Sequence, residues 1–305
     1  MIIYDLSTMQ ICDIHEKTVV ALGTFDGCHA GHMQVFAGCR ELACERKAKS
    51  AVYTFSSLPK SPKSGTLCLF SLSERIKAIR GAGIDFLCIE DFESVSEMSG
   101  QDFLNDILVS KLHAVGACCG FNFRFGKNAS LGASDLENFF KSLGGCVRIC
   151  DKIDYKGEVL SSSLLRAFVE KGEVEELLNV CQPYSIYSVV EHGKELGRTI
   201  GIPTINQKIP SEKVAPARGV YITECEIGED VFPSVTNVGV RPTVESDGMQ
   251  NMETFIIGFN GSLYGSSVKV NFYKLLRAEK KFSSIEELKS EIEANVQSAI
   301  DYFSH

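Results

Sequence analysis

This 305-residue sequence lacks the features that define several common classes of protein. It has no cysteine pair at CxxC spacing, which argues against a structural zinc site, and no Walker-type loop, GxxxxGK followed by Ser or Thr, which argues against a P-loop fold. No apolar run approaches the length of a membrane span, and the N-terminus shows no basic region followed by an apolar core. The twelve cysteines are scattered, as in reducing compartments. We therefore expect a cytoplasmic protein without a membrane partner.

Positive charge is also in short supply. The chain has 31 Lys and Arg residues against 39 Asp and Glu residues, a net charge of -8 and a pI near 5.4. A general nucleic-acid binder needs an excess of basic side chains, so no nucleic-acid partner is expected, and anionic ligands must be bound by local groups. A hydrophobic content of 44% over this length is enough for two cores. No oligomeric state is predicted.

The most informative segment is a glycine-rich turn, GTFDGCHAGH at residues 23–32, which follows the apolar run at residues 19–22. A strand that ends in glycines and leads into a helix brings together backbone N–H groups and the positive end of a helix dipole. A triphosphate can bind at such a place. The candidate nucleotide-binding residues of this turn are Gly23, Asp26 and Gly31.

Two histidines close the turn. His29 and His32 are three residues apart, which places both imidazoles on one face of the first turn of a helix that begins near His29. They would then point toward whatever the turn binds. A metal pair or two surface histidines would show the same spacing, although no further ligands at zinc spacing accompany them.

Strand-like and helix-like segments alternate through residues 1–182. Strands are predicted near residues 51–55, 86–89, 115–123 and 146–150, and helices near residues 33–46, 73–81 and 101–112. Residue Ser134 fits a capping box that begins another helix. Such alternation predicts an α/β domain with a parallel sheet covered by helices, in which ligands bind at the carboxyl ends of the strands.

Two later segments could line the same crevice. In GFNFRFG, residues 120–126, aromatic side chains alternate with Asn122 and Arg124, which could bind the polar edge of a stacked aromatic ligand. The same phenylalanines would also fit ordinary core packing. In SSSLLR, residues 161–166, hydroxyls and an arginine begin a helix in an arrangement suited to phosphate oxygens, although a serine run alone also forms an N-cap.

From residue 183 onward, alternating apolar and polar positions replace the helical pattern. Strands are predicted near residues 185–190, 220–227, 254–259 and 268–272, joined by turns with glycine and proline. This pattern indicates a small antiparallel barrel within residues 183–305. A terminal helix is predicted from an apolar stripe formed by Ile285, Leu288, Ile292 and Val296.

The candidate site of this half is HGKELGRTIGIPTIN, residues 192–206. Glycines in such a segment would let backbone amides approach phosphates closely. The Thr204 hydroxyl and the Asn206 side-chain carbonyl are hard oxygen ligands, which Mg²⁺ prefers. The candidate phosphate-binding glycines are Gly193, Gly197 and Gly201.

Taken in order, the motifs GTFDGxHxGH, GFNFRFGK and SSSxxR resemble the adenylyltransferase module of the prokaryotic bifunctional riboflavin kinase/FAD synthetases. Residues 192–206 resemble the GxxLGRxxGxPTxN motif of the riboflavin kinases, and the resemblance covers nearly the whole chain. It implies a Rossmann-like nucleotidylyltransferase domain followed by a riboflavin kinase barrel. It also implies riboflavin, FMN and ATP as substrates and Mg²⁺ as cofactor, with FMN made from riboflavin and FAD from FMN.

The resemblance further implies roles for individual residues. His29 and His32 would contact the ATP phosphates and stabilise the transition state. Asn122 and Arg124 would lie near the flavin. Glu253 would be the base that takes the proton from the ribityl 5′-hydroxyl. The remaining nucleotide-binding residues would be Ser162, Ser163 and Arg166, and the Mg–ATP site would contain Thr204 and Asn206.

Departures from the family pattern concentrate in the N-terminal half. Residues 54–59 lack the family's Pro-His-Pro, residues 128–133 lack the usual Gly-Asp, and Leu164 replaces a frequent arginine. Lost positive charge would weaken phosphate binding, and Lys60 and Lys63 could substitute for it. Two alternatives follow. One is a monofunctional riboflavin kinase whose N-terminal domain binds nucleotide; the other is a non-catalytic flavin sensor, against which the histidine pair and the glutamate argue.

Overall fold

The computed structural model describes residues 1–7, 14–58, 67–193, 201–240 and 250–304. The chain divides into two compact units, Met1–Leu164 and Leu165–His305. The predicted domain boundary after residue 182 stays a prediction. Among the described residues, no helix is both long enough and apolar enough to cross a membrane.

A six-stranded parallel sheet forms the centre of the first unit. Its strands are β1 (Ile2–Asp5), β2 (Thr18–Leu22), β3 (Lys49–Phe55), β4 (Phe86–Glu90), β5 (Ala114–Gly120) and β8 (Cys146–Cys150). The spatial order is β1-β4-β3-β2-β5-β8, and all neighbouring strands are parallel. Two short antiparallel pairs accompany the sheet: β6 (Arg124–Phe125) with β7 (Leu131–Gly132), and β9 (Asp154–Tyr155) with β10 (Glu158–Val159). The predicted Rossmann-like architecture is confirmed.

Helices connect these strands. They are α1 (Ala30–Glu45), α2 (Leu72–Gly81), α3 (Phe92–Val95), α4 (Gly100–Asp102), which continues as a π-helix (Phe103–Lys111), a 3₁₀ turn (Lys127–Ala129) and α5 (Ala133–Ser142). Strand β2 lies in the interior of the sheet, and all five of its residues are buried. The apolar run before the glycine-rich turn is therefore a core strand that delivers the turn to the carboxyl edge of the sheet.

Three local predictions differ from the structure. The strand predicted at residues 115–123 ends at Gly120, because the Phe123 N–H donates to the Gly120 carbonyl (3.1 Å) and closes a turn. The helix predicted at residues 101–112 is π-helical over most of its length. The capping box predicted at Ser134 is wrong: the N-cap of α5 is Gly132, two residues earlier, and the Asp135 carboxylate accepts the Gly132 N–H (2.8 Å).

The second unit contains the barrel. Its strands are β11 (Tyr184–Glu191), β12 (Thr204–Lys208), β13 (Gly219–Ile227), β14 (Asp230–Val240), β15 (Gln250–Ile256) and β16 (Ser267–Arg277), closed in the order β11-β12-β15-β14-β13-β16. All barrel pairs are antiparallel, as predicted. The helices of this part of the chain are α6 (Ser162–Lys171), which contains the division between the units, α7 (Glu175–Leu178) and α8 (Ile285–Phe303).

Helix α8 packs on the outside of the barrel. Ala299 is buried against Val220, Ile222 and Val235. The predicted apolar stripe is only partly right, because Ile285 at the start of the helix is 62% exposed. Inside the barrel a chain of hydroxyl groups links three strands, formed by Thr223, Ser234, Thr236 and Thr254.

Candidate active sites

The glycine-rich turn links β2 to α1 through a tight backbone. Phe25, Gly27 and Cys28 all have φ between 39° and 84°, in the left-handed region. Residues other than glycine adopt this conformation at a cost in free energy, and such strained residues cluster at functional sites. The turn ends at His29, the N-cap of α1, which makes no side-chain cap hydrogen bond. The N-terminus of α1 is therefore left without a side-chain cap.

The two histidines meet at this helix end, as the spacing predicted. The rings of His29 and His32 stack with centroids 3.8 Å apart. His29 is 5% exposed, and neither Nδ1 atom has a hydrogen-bond partner among the residues that the structure describes. Burial lowers the pKa of His29 to about 4, and burial together with the neighbouring His29 holds the pKa of His32 well below 6.5. Both imidazoles are therefore neutral near pH 7, and an anion beside them would favour their protonation.

Glycines allow the rings to pack. A Cβ atom at Gly31 would lie 3.1 Å from the His29 ring, and one at Gly23 would lie 3.0 Å from the Phe25 ring. Phe25 in turn packs edge-on against His32, with centroids 5.3 Å apart. Both glycines thus leave the space in which the aromatic rings of the turn pack. The predicted contact of Gly23 and Gly31 with nucleotide stays a prediction.

Asp26 links the turn to the chain segment just before α2. Its buried carboxylate accepts hydrogen bonds from the N–H groups of Leu69 (3.0 Å) and Phe70 (2.9 Å), just before α2. The Ser162 hydroxyl donates to the Asp26 carbonyl (2.7 Å). The structure therefore brings the start of α6 to the histidine turn, as expected of a shared site. A direct contact of Asp26 with nucleotide stays a prediction.

Arg75 is a buried residue of this site that sequence reasoning missed. Helix α2 begins with a capping box, in which the Ser71 hydroxyl accepts the Glu74 N–H and the Glu74 carboxylate accepts from Ser71. The next residue, Arg75, is thereby directed behind the turn, where it is 2% exposed. Burial lowers its pKa, and the nearby Asp26 carboxylate opposes that shift. In the sequence, Ser71 and Glu74 signal the start of this helix but not the burial of Arg75.

The segment after β5 is divided between core and surface. Phe123 and Phe125 stack with centroids 5.6 Å apart and pack into the core, which agrees with the core-packing alternative, whereas Phe121 is 47% exposed. Asn122 and Arg124 are both exposed, and Arg124 Nε donates to the Ala129 carbonyl (3.0 Å). Their predicted role at the flavin stays a prediction.

The serine run at α6 also serves two purposes. The Ser161 hydroxyl accepts the Leu164 N–H (3.3 Å), as a helix cap does, while the Ser163 side chain is exposed. Arg166 is half-buried and belongs to the second compact unit. Lys60, Lys63 and Gly197 lie outside the described residues.

In the barrel, Asn206 is the most constrained of the predicted site residues. It is buried on β12, and Asn251 Nδ2 donates to its Oδ1 (3.4 Å). A Cβ atom at Gly193 would lie 2.3 Å from Asn206 Nδ2, so the chain after β11 lies directly on this amide. Gly193 and Asn206, predicted in one site, are therefore brought together.

Strand register places a carboxylate beside this amide. Glu253 on β15 pairs directly with Asn206 on β12 and with Asn237 on β14. Residues opposite each other in antiparallel strands have Cβ atoms about 4.5–5.5 Å apart, so the three side chains form a row on one face of the barrel. Glu253 is exposed, and its predicted role as a base stays a prediction. Asn237 was not predicted as a site residue, because it lies on β14, a strand that the sequence analysis did not predict.

A cavity of about 320 Å³ lies beside this row, between the barrel and α8. Phe255, which pairs with Thr204 and follows Glu253 by two residues, forms part of its wall. The other lining residues are Gly201, Ile202, Lys289, Ile292, Glu293, Val296 and Gln297. An apolar cavity with a few polar groups at its rim suits a small aromatic ligand. In the part of the chain that the structure describes, no cluster of three or more His, Cys, Asp or Glu side chains could hold a metal ion.

Comparisons with known proteins match both halves of the chain. The FAD synthetase family model matches residues 11–164, and the riboflavin kinase model matches residues 180–303. The bifunctional riboflavin kinase/FMN adenylyltransferase of Bacillus subtilis (strain 168) is 33% identical over 301 residues, covering 95% of this chain and 93% of its own. The Pseudomonas fluorescens protein of the same name is 32% identical over 292 residues, with 93% of each chain covered.

A solved structure also matches over nearly the whole length. The crystal structure described as a macrolide-efflux protein from Streptococcus pneumoniae has a TM-score of 0.85 and 28% identity, covering 98% of this chain and 99% of its own. A parallel α/β unit that matches an FAD synthetase model, followed in the chain by a closed barrel that matches a riboflavin kinase model, defines a two-part phosphate-transferring enzyme. The chain belongs to the bifunctional riboflavin kinase/FMN adenylyltransferase family, which confirms the predicted resemblance.

Proposed function

We propose that this protein phosphorylates riboflavin to FMN at the barrel and adenylylates FMN to FAD at the histidine turn, with ATP as co-substrate in both reactions. The observation that supports this most strongly is the pair of stacked imidazoles, whose Nδ1 atoms are buried and unpartnered at the uncapped end of α1. Buried polar atoms are rarely left unpaired unless a ligand completes them. Phosphate oxygens suit this position because of the helix dipole.

At the turn, a phosphate oxygen of FMN attacks the α-phosphorus of ATP, and the bond from that phosphorus to the pyrophosphate oxygen breaks. Negative charge increases on the α-phosphoryl oxygens and on the departing pyrophosphate. His29 and His32 stabilise this charge by N–H donation, together with the backbone amides at the start of α1 and the hydroxyl of Ser163. The Ser162 hydroxyl, which donates to the Asp26 carbonyl, holds the start of α6 at the turn. The resemblance assigns Arg166 to nucleotide binding. No protein nucleophile is needed.

At the barrel, Glu253 takes the proton of the ribityl 5′-hydroxyl while that oxygen attacks the γ-phosphorus of ATP, and ADP leaves. The flavin ring occupies the cavity beside α8. Thr204 and Asn206 would hold Mg²⁺ through hard oxygen atoms, and Asn251, which donates to Asn206 Oδ1, fixes the orientation of the Asn206 amide. When bound, Mg²⁺ neutralises charge on the ATP phosphates.

Composition supports the remaining assignments. No disulfide joins the cysteines in the described ranges, which supports a reducing compartment, and we assign the protein to the cytoplasm. The net charge of -8 supports small-molecule substrates rather than nucleic acid. The exposed Asn122 and Arg124 are assigned to the polar edge of the flavin of FMN.

The test is to incubate the purified protein with riboflavin, ATP and Mg²⁺, resolve the flavins by chromatography over time, and repeat the reaction from FMN. Sequential FMN and then FAD is the expected result. FMN alone, with no conversion of supplied FMN, would identify a monofunctional kinase and show that the departures in the N-terminal half have disabled adenylylation. No conversion of either flavin, with flavin still bound, would identify a sensor.

A further inference from the structure

The guanidinium of Arg75 is hydrogen-bonded almost entirely to main-chain oxygens. Nη1 donates to the carbonyls of Thr24 (3.1 Å) and Phe55 (2.9 Å), and Nη2 donates to the carbonyl of Ser56 (3.1 Å). A fourth contact joins Nη1 to the Thr54 hydroxyl (3.3 Å). The side chain thus links the end of β2 to the end of β3, although it comes from neither strand.

These carbonyls occupy the edge of the sheet where phosphate is expected to bind. Thr24 follows β2 by two residues, Phe55 ends β3, and Ser56 follows it. Carbonyl oxygens at the carboxyl ends of parallel strands carry partial negative charge and repel phosphate. A guanidinium that binds three of them offsets this repulsion and places a permanent positive charge behind the turn, where low dielectric strengthens its effect.

The turn also holds the helix that supplies Arg75. The Asp26 carboxylate accepts the N–H groups of Leu69 and Phe70, which lead directly into α2. Attraction between Asp26 and Arg75 then opposes the cost of burying each charge. The histidine turn and α2 are therefore joined by the hydrogen bonds of Asp26 and by those of Arg75. Loss of the Arg75 side chain should then shift the backbone that positions His29.

We propose that Arg75 is a positioning residue for adenylyl transfer, which fixes the histidine turn and prevents strand-end carbonyls from repelling the ATP phosphates. The inference rests on the proposed function of the first unit. Arg75 reaches the nucleotide through the backbone of residues 24–26 and 55–56 rather than by contact. The loss of its side chain should therefore affect ATP binding more strongly than a general loss of folded protein would.

The experiment compares Arg75→Met and Arg75→Lys in the full chain, with Arg40→Met as a matched control, because Arg40 is exposed and also donates to a carbonyl, that of Ala82 (3.1 Å). For adenylylation of FMN, Arg75→Met should raise the KM for ATP at least about tenfold and lower kcat/KM about 100-fold. Arg75→Lys should recover part of this loss, since it keeps the charge. Riboflavin phosphorylation and the Arg40→Met variant should stay at wild-type rates.

Urea unfolding of the first unit separates positioning from folding. An Arg75→Met protein that is folded and retains the wild-type KM for ATP overturns the inference, and so does a loss of kcat alone that follows the unfolded fraction and is not rescued by lysine. If the wild-type protein makes no FAD, the proposed adenylyl transfer fails first. Calorimetric titration with pyrophosphate then decides the inference, which is overturned if Arg75→Met binds pyrophosphate as tightly as wild type.

Discussion

The two candidate sites position their reactive groups in different ways. In the first unit, His29 and His32 are held by a strained turn, and burial keeps them neutral. In the barrel, Glu253 is exposed and is placed by strand register between Asn206 and Asn237. The first site therefore depends on side-chain packing around a turn, whereas the second depends on backbone pairing. Because the groups belong to separate compact units, each reaction should be removable without the other.

The largest difference between the two activities is expected in the Glu253→Gln variant. Removal of a general base costs about 10²–10⁴-fold in rate, and we expect riboflavin phosphorylation to fall about 1000-fold. The barrel should keep its fold because Glu253 is exposed, and adenylylation of supplied FMN should be unchanged. Rates of both reactions, measured on one preparation, test this. The control is Glu229→Gln, an exposed glutamate in the turn between β13 and β14. Equal loss of both activities would contradict separate sites.

The reverse pattern is expected from His29→Ala. Loss of one donor to a developing charge costs about 10²–10³-fold, so adenylylation should fall about 100-fold while riboflavin phosphorylation continues. The exposed His15, changed to alanine, serves as the control. Chromatography of the flavins from riboflavin should then show FMN accumulating without FAD. FAD formation at the wild-type rate would remove His29 from the proposed mechanism.

Sequence alone predicted this contrast only in part. The alternation of elements located β2 and the turn, because a buried strand followed by glycines has a distinctive local pattern. Arg75 was missed because periodicity treats a charged residue as exposed, and only the fold shows that main-chain oxygens accept hydrogen bonds from its Nη1 and Nη2 atoms. Asn237 was missed because no strand was predicted over residues 230–240, and the pairing of Asn206 with Glu253 depends on strand order that local patterns do not show. Local chemistry was thus predictable, whereas partners brought together by topology were not.

Burial of the histidines should make the first unit sensitive to acid. The pKa of His29 is about 4 when folded and near its ordinary value of 6.5 when unfolded. The unfolded chain therefore takes up a proton first as the pH falls, so stability is complete above 6.5 and decreases toward pH 4. Between pH 7.5 and 5 the loss should be about 2 kcal/mol from His29 alone, and His32 adds to it in the same direction. Urea unfolding of the first unit at the two pH values measures it. His29→Gln should show a smaller decrease, and an equal decrease would assign the effect to other groups.

The smallest effect on activity is expected from a packing contact in the barrel site, where Gly193 lies against Asn206. In Gly193→Ala, the new Cβ would lie 2.3 Å from Asn206 Nδ2, so the Asn206 amide must shift out of its hydrogen bond with Asn251. We expect kcat/KM for riboflavin phosphorylation to fall about tenfold and the Mg²⁺ requirement to rise, as when a residue that orients a metal ligand is lost. Adenylylation should not change. Gly81→Ala, where a Cβ meets nothing within 4 Å, is the matched control. Unchanged kinetics at limiting Mg²⁺ would mean that the Asn206 amide does not contact the metal, and would leave Thr204 and the strand register as the basis of the kinase site.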